Sequence, residues 1–284
     1  MIAVVYSGSR YANWKIADKG KEVVATRTNG INPFINDEKY TLQLLNKNIK
    51  LIHNAEKIKK IYFFGAGATS KEREKIVYNA FSQFFRYSRI YVHHDLDAAA
   101  KATCNDKPGI VCILGSGSNA AFYNQKKIIP NNFGLGYTIG DEGATNWLGK
   151  MLLKKYLTNT LPADFNKIFK RKYDLDRKQI LDKIYKQAQP NLFLSSFVDL
   201  LLENKEHPFV KDFVKGGFRL YRETYLTPLL EKYGYKQPVH FVGSAAANFQ
   251  DYLREVATEE KDIRIQTIIR EPTYNLLNYY VNKN

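Results

Sequence analysis

The chain has 284 residues, 44% hydrophobic and 14% aromatic, and 43 Lys and Arg against 28 Asp and Glu leave a net charge of +15. That apolar content supports real cores and excludes a disordered chain, and the length fits two lobes or one large domain. No apolar stretch approaches the ~18–20 residues that a membrane span needs, and acids interleaved with the lysines (Glu56-Lys57-Ile58-Lys59-Lys60, Lys71-Glu72-Arg73-Glu74-Lys75) leave no basic block for nucleic acid.

The N-terminus, Met1-Ile2-Ala3-Val4-Val5-Tyr6, lacks a basic n-region and meets Ser-Gly-Ser at once, so it reads as a first strand and not a signal peptide. Ala12–Ala17 follows Ser7-Gly8-Ser9, Asp18-Lys19-Gly20 is a turn signal, and Glu22–Thr26 is rich in β-formers. Asp37–Ala55 predicts one helix, Lys60–Phe64 a buried strand running into Gly65-Ala66-Gly67, and Ser70–Phe85 a helix capped by Ser70. Ile90–His93 predicts a strand and Leu96–Ala102 a short alanine-rich helix. Asp106-Lys107-Pro108-Gly109 is a turn and a lobe boundary.

Beyond it the opening pattern returns. Ile110–Leu114, Ser116-Gly117-Ser118, Ala120–Tyr123, Asn124-Gln125-Lys126 and Lys127–Ile129 repeat the strand–turn–strand–turn–strand order of the first 27 residues. With an offset of 109 the two Ser-Gly-Ser triplets superimpose, which suggests a duplicated fold. The rest is more helical, with helices expected at Trp147–Tyr156, Arg177–Gln187, Leu192–Leu202, Pro208–Leu230, Asn248–Val256 and Asn275–Val281, and a strand at Val239–Val242. Meanders mixed with crossover helices predict an α/β protein.

Several small-residue turns follow apolar strands: Ser7-Gly8-Ser9, Gly65-Ala66-Gly67, Gly115-Ser116-Gly117-Ser118-Asn119 and Gly243-Ser244-Ala245. Backbone N–H groups in such turns can grip phosphate oxygens, and each turn equally serves as plain structure. Asp95, after a strand and before a helix, either faces a cleft as a proton acceptor or caps the helix, with Asp97 as the rival cap. Asp141 and Glu142, flanked by glycines, either cap a helix or reach a polyol. Asn32 before Pro33 either stabilises a turn or bonds a sugar hydroxyl. Cys104 and Cys112 are too few for a disulfide framework, which fits a reducing cytoplasm. There is no zinc spacing of His and Cys, no P-loop and no Gly-x-Ser-x-Gly elbow.

Taken in order, Ser7-Gly8-Ser9 with Trp14, Thr28-Asn29-Gly30-Ile31-Asn32-Pro33-Phe34, Gly65-Ala66-Gly67, His94-Asp95-Leu96, Ile113–Asn119, Gly136–Gly143 and Phe241-Val242-Gly243-Ser244 resemble one known pattern. It is that of the BadF/BadG/BcrA/BcrD-type branch of the actin-like ATPase superfamily, and within it the N-acetylglucosamine kinases. The resemblance covers nearly the whole chain. It implies two ribonuclease-H-like lobes with a cleft between them, residues 1–107 plus a C-terminal helix at 272–284 and residues 108–271 with a helical insert. It also implies ATP and Mg²⁺, and phosphorylation of an amino sugar at its C6 hydroxyl.

By position, Asp95 matches the catalytic base, and Asn32, Asp95, Gly134, Leu135, Gly136 and Asp141 match sugar contacts. Ser7, Gly8, Ser9 and Arg10 fall on the first phosphate hairpin, Gly115, Ser116, Gly117 and Ser118 on the second, and Gly243, Ser244 and Asn248 on the adenosine segment. No residue is assigned to the metal, Glu142 has no assigned role, and pairing as a homodimer stays open. The first hairpin departs from the pattern: Tyr6 and Arg10 stand where the family has Asp and Thr, and Ala144 stands where it usually has Ser. An alternative is therefore a catalytically impaired member that binds an amino sugar for regulation. The superfamily's reductase activators carry cluster-ligating cysteines, which this chain lacks.

Overall fold

Ala12, Trp14 and Ile16 alternate with more exposed neighbours, and Lys19 and Gly20 both adopt positive φ (46° and 81°), so the chain turns tightly into a hairpin whose twist suits its strands. This geometry comes from a computed structural model that describes residues 1–283. The chain divides into two units: Met1–Lys107 with Gln125–Ile128 and the C-terminal segment from Glu271, and Pro108–Asn124 with Ile129–Arg270.

In the first unit β1 (Ile2–Ser7), β2 (Tyr11–Asp18), β3 (Lys21–Asn29), β4 (Lys60–Gly65) and β5 (Arg89–His94) form a sheet in the order β3-β2-β1-β4-β5. β1–β2 and β2–β3 are antiparallel, while β1–β4 and β4–β5 are parallel. Residues Ile61 to Phe64 of β4 are buried on both faces, as central parallel strands are. On one face Trp14, Phe63, Phe81 and Phe85 pack together, with Trp14 stacked on Phe81 at 5.5 Å and its indole N–H donating to Thr28 Oγ1 at 3.2 Å. Contacts on this unit also come from the helices Asp95–Thr103 and Thr273–Asn282, which bury Leu96, Leu276 and Leu277.

In the second unit β6 (Gly109–Leu114), β7 (Ser118–Tyr123), β8 (Val239–Val242) and β9 (Ile265–Ile269) are ordered β7-β6-β8-β9. The antiparallel β6–β7 pair and the parallel β6–β8 and β8–β9 pairs repeat the β2-β1-β4-β5 arrangement of the first sheet. A helical insert runs between β7 and β8, and its core joins Leu148, Phe165, Phe169, Phe197, Phe218 and Tyr221 to Phe241 of β8. Among the described residues no helix is long and apolar enough to cross a membrane.

Several elements differ from expectation. Lys127–Ile129 is not a third strand: only Ile128 forms a bridge, because Pro130, lacking an N–H, ends the ladder. The helix expected over 37–55 is two, Glu38–Asn46 and Ile49–Asn54, since Asn48 turns extended and its side chain accepts from the Leu51 N–H. Residues 192–202 likewise split into Pro190–Ser195 and Val198–Glu203. The helix at 248–256 is Ser244–Asn248 followed by Gln250–Thr258. Helix Ala163–Lys172 and strand β9 were not expected. The long helix from Pro208 continues to Tyr233, passing through a π turn at Arg222–Leu226.

Candidate functional site

In the first unit, register brings Ser7 of β1, Gly65 of β4 and His94 of β5 side by side at the C-terminal ends of three parallel strands. Such strand ends are where open α/β sheets bind ligands. The Ser7–Arg10 turn is tight, with the Gly8 N–H donating to Tyr11 O at 3.0 Å. Ser7 is buried, and its hydroxyl accepts the Ile31 N–H at 2.8 Å. Gly30 packs so closely on this turn that a Cβ there would lie 2.5 Å from Gly8 O. Asn32 Oδ1 accepts the Phe34 N–H at 2.9 Å and faces Gly67, while its amide NH₂ has no hydrogen-bond partner among the described residues. Asn32 therefore stabilises its turn and keeps a donor available.

Asp95 is the first residue of its helix and does not cap it. His94 does, its Nδ1 accepting the Leu96 N–H at 3.4 Å, so neither Asp95 nor Asp97 fills the capping role. Asp95 is 8% exposed, and its Oδ1 lies 3.1 Å from His94 Nδ1 but out of line for a hydrogen bond, which leaves that oxygen buried without a donor among the described residues. Buried carboxylate oxygens are normally satisfied, so this one is an acceptor left open.

Tyr6 stands in a cross-strand row, Arg27–Asn13–Tyr6–Phe64–His93, whose side chains share a face of the sheet. Burial, then the charges of Asp95 and Glu271, hold its phenol neutral far above the ordinary tyrosine range. Glu271 is itself pushed up by burial, against the Thr273 N–H that it accepts at 2.9 Å and the charges of Lys15 and Arg27. Arg10 points its guanidinium over the Tyr11 ring, 5.1 Å from the centroid, and is exposed.

In the second unit, the Gly115–Ser118 turn is held from two sides. The N–H groups of Thr145 and Asn146, opening the helix Thr145–Leu157, donate to the carbonyls of Gly115 and Ser116 at 2.9 and 3.3 Å. Those first helical donors are thereby satisfied without a capping side chain, which accounts for Ala144 at the cap. From the other side Asp141, buried and at φ 64°, accepts the Ser118 N–H on Oδ1 and the Asn146 amide on Oδ2. Its carboxyl is raised by burial, partly offset by these two bonds. A Cβ on Gly117 would lie 3.0 Å from both Asp141 oxygens.

Gly243 follows β8 at φ 142°, and a Cβ there would meet Leu114 O at 2.3 Å, so the Gly243-Ser244 segment lies directly on the end of β6. Asn248 Oδ1 accepts from Arg270. Gly134 and Gly136 (φ 80° and 78°) bracket Leu135, which is exposed, and a Cβ on Gly134 would crowd the Asn119 amide. The π turn brings Tyr225 to Glu142, whose Oε2 accepts the phenol at 2.5 Å. Burial first and Glu142 second push the Tyr225 hydroxyl well above its ordinary value. π turns often mark functional positions.

No family model matches the chain, and no curated protein does. Among solved structures, a putative N-acetylglucosamine kinase from Porphyromonas gingivalis is 30% identical, with a TM-score of 0.93 and 99% of each chain covered. The chain belongs to that protein's family. A putative N-acetylglucosamine kinase from Chromobacterium violaceum (14% identity, TM-score 0.68, 99% of this chain and 98% of that one) shares the fold. So does a ROK family glucokinase from Streptomyces griseus in complex with glucose and AMPPNP (11% identity, TM-score 0.55, 98% and 97% covered). The fold is the two-lobed α/β fold of actin-like ATPases and sugar kinases.

Each unit thus assembles its own predicted residues: Ser7, Gly8 and Ser9 with the 30–32 loop and the end of β5, and Gly115–Ser118 with Asp141 and Gly243. Arg10 and Asn248 instead engage their own neighbours, Tyr11 and Arg270. Sequence reasoning missed Glu271, Tyr225, Asn146 and the capping role of His94. The i, i+4 pair Tyr221 and Tyr225 was a readable signal, whereas Glu271 is a lone acid before a proline.

Proposed function

We propose that the chain is an ATP-dependent kinase of an amino sugar resembling N-acetylglucosamine, with Asp95 as general base at the C6 hydroxyl. The observation that carries this reading is the buried Asp95 Oδ1 without a hydrogen-bond donor, at the end of β5. The sugar hydroxyl would donate to that oxygen. As its proton passes to Asp95, the alkoxide oxygen bonds to the γ-phosphorus, and the bond from that phosphorus to the β–γ bridging oxygen breaks, releasing ADP. Asn32's free amide and the Gly134–Gly136 backbone supply donors and acceptors of the kind a sugar needs.

The residues also suit a polyphosphate. Gly243 stands where no side chain fits, a Cβ on Gly117 would press on the Asp141 carboxylate, and the Gly115–Ser118 turn is braced by Asp141 and the Thr145–Leu157 helix. No group of three His, Cys, Asp or Glu among the described residues could hold a metal by itself. That donor set fits hydrated Mg²⁺ carried mainly by phosphates, with a carboxylate such as Asp95 or Glu271 beside it. When bound, Mg²⁺ neutralises phosphoryl charge.

Incubation with ATP, Mg²⁺ and N-acetylglucosamine or N-acetylmuramic acid should release ADP, and Asp95→Asn should lower turnover about 10²–10⁴-fold while still binding sugar. No turnover on any amino sugar would refute the reading. A second reading, sugar binding for regulation without catalysis, is favoured by Tyr6, whose neutral phenol cannot supply the charge of the family's acid. It predicts calorimetric sugar binding with no turnover, and stronger nucleotide binding once Tyr6→Asp and Arg10→Thr are introduced together.

A further inference from the structure

The first phosphate hairpin has lost its acid, but the surroundings of the position have not lost negative charge. Tyr6 sits in the row with Asn13 and Arg27. The closing helix Thr273–Asn282 packs along β1 and β2, with Val281 beside the Gly20 turn and the Tyr274 ring centroid 5.6 Å from Lys15 Nζ. Glu271, just ahead of that helix, therefore enters at the Tyr6 end of those strands, where its charge acts on Tyr6 and it feels that of Lys15 and Arg27. Its one fixed bond is to the Thr273 N–H at the start of the closing helix, and this occupies only Oε1. Glu271 is partly buried, and among the described residues no cation lies within 4 Å to form an ion pair with it. Lys15, the lysine whose charge reaches it, is paired at 2.6 Å with Glu22, and Arg27 donates its Nε to Asn13 at 2.7 Å. A carboxylate kept unpaired in a partly desolvated place costs stability and calls for a partner that arrives later.

We propose that Glu271 supplies the charge missing at Tyr6, facing the hydrated Mg²⁺ of the bound nucleotide and holding its water shell. The proposal rests on the nucleotide-binding reading above. In this arrangement a carboxylate delivered by the segment between β9 and the closing helix does for the first hairpin what an acid at its own first strand does in the family pattern. Tyr6, whose phenol stays neutral, then serves as packing at that position. Outer-sphere carboxylates of this kind typically contribute about 10–100-fold to metal affinity.

The test is calorimetric binding of ADP and ATP with MgCl₂ and with EDTA, for the full chain and for Glu271→Gln, Tyr6→Asp and the double variant. Gln keeps an acceptor for the Thr273 N–H, so the fold should hold, and a melting curve checks it. Should it not hold, Glu271→Asp, which retracts the carboxylate by one methylene, reads the same ratio. In the unaltered chain Mg²⁺ should tighten nucleotide binding, and Glu271→Gln should erase about tenfold or more of that gain without weakening binding in EDTA. Tyr6→Asp added to Glu271→Gln should restore the gain. A Glu271→Gln variant that keeps the full Mg²⁺ gain overturns the proposal and leaves the kinase reading standing, as does an unaltered chain that binds nucleotide equally with and without Mg²⁺. Absence of any nucleotide binding in the unaltered chain overturns the kinase reading itself, and this proposal with it.

Discussion

Asp141 braces the turn that carries Ser118: its Oδ1 accepts the Ser118 backbone N–H at 2.8 Å while its Oδ2 accepts from the Asn146 amide at 2.7 Å. Asp141→Ala would orphan two buried donors, at about 1–3 kcal/mol each, and would leave alanine at a left-handed φ. The variant should melt several degrees lower and bind nucleotide more weakly. If Asp141 served only to contact sugar, the melting curve would not move and only the sugar KM would rise. Measuring both quantities on one preparation separates the two roles.

Gly243→Ala tests the second hairpin from its other side. The new methyl group would press on Leu114 O, 2.3 Å away, at φ 142°, so either the end of β6 or the start of the Ser244–Asn248 helix must shift. Overpacking of this sort costs about 1–3 kcal/mol. Nucleotide affinity should fall, while sugar binding through the first unit should change little. Gly136→Ala is the control for space, because a methyl group there would meet no atom within 4 Å, although its φ of 78° still carries backbone strain.

Tyr225→Phe removes the donor held by Glu142 and leaves a half-buried carboxylate facing an apolar ring. A hydrogen bond to a charged group contributes about 1.5–3 kcal/mol, so the melting temperature should drop. If Glu142 also orients the Gly134–Gly143 segment toward sugar, the sugar KM should rise with kcat nearly unchanged. Equal falls in kcat and kcat/KM would place Tyr225 in the chemical step instead.

The paired meanders were legible because their signals are local. Alternation at Ala12, Trp14 and Ile16 and the Lys19-Gly20 turn decide β1–β3 within a few residues, and the Ser-Gly-Ser repeat marked their second copy. The expected third strand at Lys127–Ile129 failed on an equally local feature, Pro130, whose missing N–H outweighs two isoleucines. Asp95 could be singled out because it directly follows a strand. Its capping alternative fell to the neighbouring His94, whose ring happens to reach the Leu96 N–H. Glu271 and Tyr225 could not be read in this way. Their surroundings are made by tertiary structure, the return of the last helix to the first unit and a π turn that rotates one phenol onto Glu142.

His240 gives the second unit an acid-sensitive core. On β8 it is 2% exposed, with Nδ1 unpartnered among the described residues, and burial lowers its pKa from 6.5 to about 4. The unfolded chain takes up a proton near pH 6.5, but the folded one does not until about pH 4. Above the unfolded value the two states bind equal numbers of protons at this site, and stability is unaffected. As pH falls from 6.5 toward 4 the unfolded state gains a proton that the folded state refuses, so stability is lost across that window, by at most about 3–4 kcal/mol at 1.36 kcal/mol per unit. His240→Gln, neutral throughout, should flatten this part of the profile while costing some stability at pH 7.5 through altered packing. Urea unfolding of both proteins at pH 7.5, 6.0, 5.0 and 4.5 reads the difference. The unaltered chain should lose more stability than the variant on acidification, and parallel profiles would mean that the ring protonates in place or that the strand opens to water first.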